Sequence, residues 1–184
     1  MKPSHFRFHQ FRTYRSTEAR SRLTENFNKP INREGLMMKW LKAAVIGALA
    51  GLVMFIIINF GIRSGVAPFG LPPSAAFLES IGIQPMPLGP IVHFVYAIFW
   101  SIVLVAIFQQ RTNITKGLGL ALILWLIMMV IYSPIIGWGI FGANLGNPGM
   151  YVIATLVLHA IYGLIVGWLD PLWINFSQEP EQMT

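Results

Sequence analysis

Residues 117–169 read GLGLALILWLIMMVIYSPIIGWGIFGANLGNPGMYVIATLVLHAIYGLIVGWL, without one charged side chain. A bilayer-crossing helix needs roughly 20 mostly apolar residues. The run is therefore too long for one crossing and too apolar for a soluble domain. Its middle, 137–149, is rich in glycine and asparagine and contains Pro148, so it divides the run into crossings at about 117–136 and 150–169. Upstream, 43–62 is twenty uncharged residues closed by Arg63. A further run at about 91–108 is entered through Pro87, Gly89 and Pro90 and closed by Gln109, Gln110 and Arg111. None of these runs alternates with period two, as a β-barrel strand would. Backbone polar groups cannot stay unpaired in lipid, so all four should be helices. The fold class expected is all-α: a polytopic membrane protein with four transmembrane helices in a bundle.

Composition agrees with this. Of 184 residues, 55% are hydrophobic and 11% charged, and there is no cysteine. Soluble domains carry about 25% charge, so an ordinary soluble enzyme, a disordered chain and a disulfide-stapled module are all excluded. The charge is also unevenly placed. Residues 1–42 hold ten of the thirteen Lys and Arg against three acids, whereas 43–184 hold three against four. By the positive-inside rule both termini and the 109–116 loop face the cytoplasm, while 63–90 and 137–149 face outward. Trp40, Trp138, Trp168 and Trp173 fall near span ends, as interfacial aromatics should. The organisation expected is a basic cytoplasmic arm over 1–42, a transmembrane domain over 43–174 and a short tail over 175–184. The location expected is a bacterial inner membrane.

The arm admits three readings. Residues 1–17 contain Lys2, Arg7, Arg12 and Arg15 among Phe6, Phe8, Phe11 and Tyr14, with no acid. It is a disordered tail that enforces orientation, a segment lying on anionic lipid head groups, or a mitochondrial transit peptide, which would place the chain in the mitochondrial inner membrane. In the 63–90 loop, prolines break regular structure except over 74–83, which reads as a short helix capped by Ser74, either a connector or a lid.

Chemistry-bearing side chains are few. His93 and Tyr96 in the second span, and His159 and Tyr162 in the fourth, share the spacing His-x-x-Tyr, which puts both side chains on one helix face. The shared spacing suggests two similar helical hairpins. Asn59, Arg63, Tyr132 and Ser133 should lie in the same outer half, close to Thr155. Intramembrane polar groups are costly and usually face the bundle interior. The cluster is thus either a small-ligand or proton site, or a set of packed side chains satisfied by one another and by backbone. Two histidines could also ligate haem, although from the span ends they differ in depth by about 6–8 Å at 1.5 Å per residue.

Other chemistry has little support. Residues 43–169 contain one acid, Glu79, so paired-carboxylate catalysis and an acid-lined ion pathway are both unsupported. No cysteine nucleophile and no phosphate loop ending in Lys-Ser/Thr is present. The glycines at 137, 139 and 142 read as a tight turn. No catalytic residue, no metal ligand and no cofactor is assigned. Gly47 and Gly51 in the first span, and Gly163 and Gly167 in the fourth, form small-xxx-small stripes that admit a close helix neighbour. Their matched depth predicts that the first and fourth spans pack on each other, with homo-oligomerisation or docking into a larger membrane complex as the competing use. Beyond the lipid bilayer no partner is specified, and nucleic acid is not expected.

The segments 59–63 (NFGIR), 71–74 (LPPS), 93–96 (HFVY), 132–137 (YSPIIG) and 159–162 (HAIY) occur in an order that resembles the YagU family of bacterial inner-membrane proteins. The resemblance implies a multi-span inner-membrane protein and carries no catalytic residues with it. The expectation is a non-enzymatic accessory or structural membrane component. A pH-responsive or small-ligand-handling protein using the His/Tyr cluster is the alternative, and a bis-His haem electron-transfer subunit the second.

Overall fold

A computed structural model describes residues 33–175. The arm over 1–32, with its lipid and transit readings, and the tail over 176–184 lie outside the described residues. The chain divides into two compact units, Met1–Leu36 and Met37–Thr184, and the second contains all four spans.

Every regular element among the described residues is helical: α1 Arg33–Arg63, α2 Pro73–Ser80, α3 Leu88–Phe108, α4 Ile114–Ile127, α5 Ser133–Ile135 and α6 Pro148–Asn175. A π segment, Met128–Tyr132, joins α4 to α5. Four stretches are long and apolar enough to cross a bilayer: Met37–Arg63, Leu88–Phe108, Ile114–Ile135 and Pro148–Trp173. Their outer surfaces agree, since Phe60, Ile107 and Ile153 are 73%, 63% and 65% exposed, an arrangement suited to lipid rather than water.

The local chemistry explains the span ends. Asn113 caps α4 by accepting from the Lys116 amide at 3.0 Å, and Asn147 accepts from the Met150 amide at 3.1 Å ahead of Pro148 in the first turn of α6. The π segment precedes Pro134, which lacks an N–H and crowds the preceding turn. Widening the helix by one residue lets the Ser133 amide reach the Met128 carbonyl.

All four helices begin before the uncharged runs do, and the fourth extends beyond its run through Asp170 and Pro171. The short loop helix also differs from expectation. It starts at Pro73 instead of being capped by Ser74, because Pro72 precedes it and proline's fixed φ suits the first helical turn. It buries Ala75, Ala76 and Leu78, leaves Ile81 53% exposed, and rests on Gly89, where an added Cβ would lie 3.2 Å from the Ala75 Cβ.

The glycine stripes pack within hairpins, not between the first and fourth spans. A Cβ on Gly47 would lie 2.7 Å from the Ser101 Cβ and 2.9 Å from the Ala97 carbonyl oxygen, and one on Gly51 would meet the Ala97 Cβ at 2.9 Å. Gly163 faces Gly117 and Ala121 of the third span, and Gly167 faces Ile114 and the Asn113 backbone. A small-xxx-small stripe specifies close approach but not the partner, and in both hairpins the neighbour is the adjoining span. Aligning His93 with His159 places Ala97 opposite Gly163, Ser101 opposite Gly167 and Leu104 opposite Asp170. The two hairpins thus share one packing pattern.

The first and fourth spans still meet in the core, where Ile46 and Ala50 cluster with Tyr162 and Val166, and Lys42 Nζ donates to the Trp173 carbonyl at 3.2 Å. A second core cluster, around Ile58, Met129, Tyr151 and Leu158, closes the loop end.

Candidate functional site

Between the hairpins lies a cavity of about 280 Å³, to which all four spans and α2 contribute lining residues. The third and fourth spans pack along their length, whereas the second and third meet sparsely. Tyr96 and Ile127, one on each side of that seam, both line the cavity and are 47% and 41% exposed. The cavity therefore opens sideways, between the second and third spans, toward the surface that lipid covers.

The lining includes His93, Tyr96, Tyr132, His159 and Tyr162. The two His-x-x-Tyr segments reach one site because Tyr162 Oη donates to the Ala97 carbonyl at 2.6 Å, which sets them side by side. Three residues expected in the cluster are elsewhere. Asn59 Nδ2 donates to the Phe55 carbonyl of its own helix at 2.8 Å. Arg63 is exposed at the end of α1. Ser133 is buried against Tyr151, Oγ to Oη 2.5 Å, and Tyr151 is held edge-on to Phe69 and Trp138.

Other parts of the wall were not legible as site residues. Phe77 on α2 stacks with Tyr132 at 5.8 Å between centroids, and Tyr132 Oη donates to the Pro73 carbonyl at 2.8 Å. The short helix is thereby pinned to the third span, and Pro73, Ser74 and Phe77 form part of the cavity wall. Trp100 closes the side near Tyr96, with their rings 6.1 Å apart and edge-on. The signal available in the sequence was the aromatic at Phe77, the fifth residue of a helix that starts at a Pro-Pro pair.

Hydrogen bonding in the wall has one direction. A carbonyl oxygen only accepts, so the ring nitrogen facing it carries the proton. His93 Nε2 lies 2.9 Å from the Gly51 carbonyl oxygen, and His159 Nδ1 lies 2.8 Å from that of Thr155. In the neutral rings this assigns the lone pair to His93 Nδ1 and to His159 Nε2. Thr155 Oγ1 donates to the Tyr151 carbonyl at 2.6 Å and accepts from Trp125 Nε1 at 3.2 Å. Among the lining hydroxyls, only those of Tyr96 and Ser74 are not given to a backbone carbonyl.

Asp170 stands apart from the cavity. It is fully buried in the fourth span, and neither carboxyl oxygen has a hydrogen-bond partner among the described residues. The uncharged run ends at Leu169, but the span continues to Trp173 and takes Asp170 inside it. Among the described residues no group of three or more His, Cys, Asp or Glu side chains comes together as a metal site would require.

The model of a family of unknown function, DUF6789, matches residues 37–175, most of the chain and the whole bundle, so the chain belongs to that family. No curated protein and no solved structure matches it significantly.

Proposed function

We propose that this membrane protein binds a small lipophilic molecule drawn sideways from the bilayer into the cavity between its hairpins. The observation that carries the proposal is the cavity itself: a mostly apolar chamber, open on one side, with a few convergent polar groups and a mouth on the lipid-facing surface. An engineered cavity of about 150 Å³ holds benzene, so about 280 Å³ accommodates a single substituted ring.

The accessory or structural reading rests on a lack of acids within the spans, which the buried Asp170 of the fourth helix breaks, and on the two glycine stripes. Both are covered by the adjoining span and leave no stripe exposed for a partner, which favours ligand handling. Haem is a poor fit, because His93 gives its Nε2 to the Gly51 carbonyl and the chamber is sized for one ring rather than a macrocycle. Kinship with the YagU family rests on the short motifs quoted above and points to the same multi-span class.

The excess of Lys and Arg over 1–42 supports termini in the cytoplasm of a bacterium and the cavity in the outer half of the inner membrane. The chain has no cysteine, so a single Ser80→Cys in the exposed 63–88 loop reports orientation. Labelling of intact cells by a membrane-impermeant maleimide is expected, and labelling only after lysis would reverse the topology.

The cavity is tested by thermal unfolding in nanodiscs with alkylbenzenes and alkylphenols. A ligand at 100 times its Kd stabilises the folded state by about 2.7 kcal/mol. The melting temperature of the native chain should rise, and that of Val92→Trp, which fills the chamber from the second span, should not. Equal behaviour of the two proteins would count against the site.

A further inference from the structure

We infer that the cavity selects a lipophilic phenol, a single aromatic ring whose hydroxyl donates to a histidine nitrogen, over a ring whose polar atom only accepts. The inference rests on the cavity being a ligand site and deepens it to a ligand class.

Four of the lining polar groups point to it. His93 and His159 have each committed their N–H to a backbone carbonyl, and each ring presents its second nitrogen as a lone pair. Nδ1 of His159 turns back to its own helix, so Nε2 is the edge farthest from that helix. Tyr132 and Tyr162 have likewise given their phenol protons to the carbonyls of Pro73 and Ala97, and their oxygens retain only acceptor capacity. A ketone, ether or quinone oxygen placed among these four groups meets lone pairs and no proton; the one indole N–H of the wall, that of Trp100, lies beside Tyr96 at the mouth. A hydroxyl placed there gives its proton to a ring nitrogen and leaves no buried donor unmade.

The uncommitted hydroxyls are differently placed. Tyr96 stands at the mouth, 47% exposed, and Ser74 belongs to the α2 wall, so a donor meets the ligand's outer portion and acceptors its hydroxyl. The ring half of the inference comes from the aromatic wall. Phe69, Phe77, Trp100 and Tyr132 all line the chamber, and aromatic pairs gain from offset or edge-on contact beyond simple burial. An alkyl chain on the ring can leave through the seam between Tyr96 and Ile127 into the acyl chains of the bilayer. The exposure of both residues is what permits that exit.

The test uses the native chain in nanodiscs and three matched probes: 4-propylphenol, 4-propylanisole and 4-propylcyclohexanol. Each is titrated calorimetrically against empty nanodiscs so that partition into lipid is subtracted. The phenol is expected to bind at least about tenfold more tightly than its methyl ether, a difference of about 1.4 kcal/mol, and more tightly than the saturated alcohol. Equal affinity for phenol and ether overturns the hydrogen-bond selection, and equal affinity for phenol and cyclohexanol overturns the preference for a ring. Failure of all three probes to bind beyond empty nanodiscs overturns the ligand site itself, which separates the two claims. In His93→Phe and His159→Phe, at least one variant should still bind 4-propylanisole while the phenol loses its advantage. An undiminished phenol preference in both variants would remove the histidines from the account.

Discussion

The phenol of Tyr162, on the fourth span, donates to the backbone carbonyl of Ala97, on the second, at 2.6 Å. One hydroxyl therefore ties the two hairpins together at the wall of the cavity they enclose. Tyr162→Phe keeps the ring and removes the bond. It should cost about 0.6–1 kcal/mol, the usual scale for a hydrogen bond between membrane helices, read as a lower midpoint in denaturant-induced unfolding in mixed micelles. No change would show that this bond does not hold the hairpins together.

Ser133 and Tyr151 form a buried pair, Oγ to Oη 2.5 Å, beside the loop-end core. Leaving one partner unsatisfied costs about 1–3 kcal/mol, whereas removing both can be nearly neutral. Tyr151→Phe alone should therefore destabilise more than the double variant Ser133→Ala/Tyr151→Phe. Additive losses in the same unfolding measurement would deny the pairing.

Glycines at the hairpin seams should tolerate nothing larger. A Cβ on Gly163 would come 2.6 Å from the Gly117 carbonyl oxygen and 2.7 Å from the Ala121 Cβ, whereas one on Gly119 meets nothing within 4 Å. Gly163→Ala should cost about 1–3 kcal/mol through overpacking. Gly119→Ala should be neutral or slightly stabilising, because alanine is the better helix former. Thermal unfolding of the two variants side by side separates close packing from loss of glycine as such.

Asp170 occupies the position that Leu104 fills in the first hairpin, and both are fully buried. The same scaffold thus accepts leucine at that register, and a carboxyl without a partner among the described residues is a cost to stability. Asp170→Leu should gain about 1–3 kcal/mol, the penalty of an unsatisfied buried polar group. A loss of stability would reveal a partner for Asp170.

Much of the bundle was legible because four charge-free runs separated by Pro, Gly or basic residues leave no other fold in lipid. Helix ends were less so. Lys39, Trp40 and Lys42 suit an interface without breaking a helix, and the fourth helix continues through Asp170 and Pro171. The His-x-x-Tyr spacing puts four side chains on two helix faces, and all four line the cavity, but it could not place Asn59, which bonds its own helix, or Arg63, which is exposed. The partners of the glycine stripes were illegible because small residues specify distance and not identity. The α2 wall is illegible for a similar reason: by residue type Ser74 reads as a cap, while the Pro72-Pro73 pair sets the helix start and places Ser74 and Phe77 in the cavity wall.

The most direct measurement is calorimetric titration of 4-propylphenol into nanodiscs carrying the native chain and, in parallel, Val92→Trp. The account expects saturable binding to the native chain with one site per protein, and only lipid partition with Val92→Trp. Identical, non-saturating heats from the two proteins would contradict it.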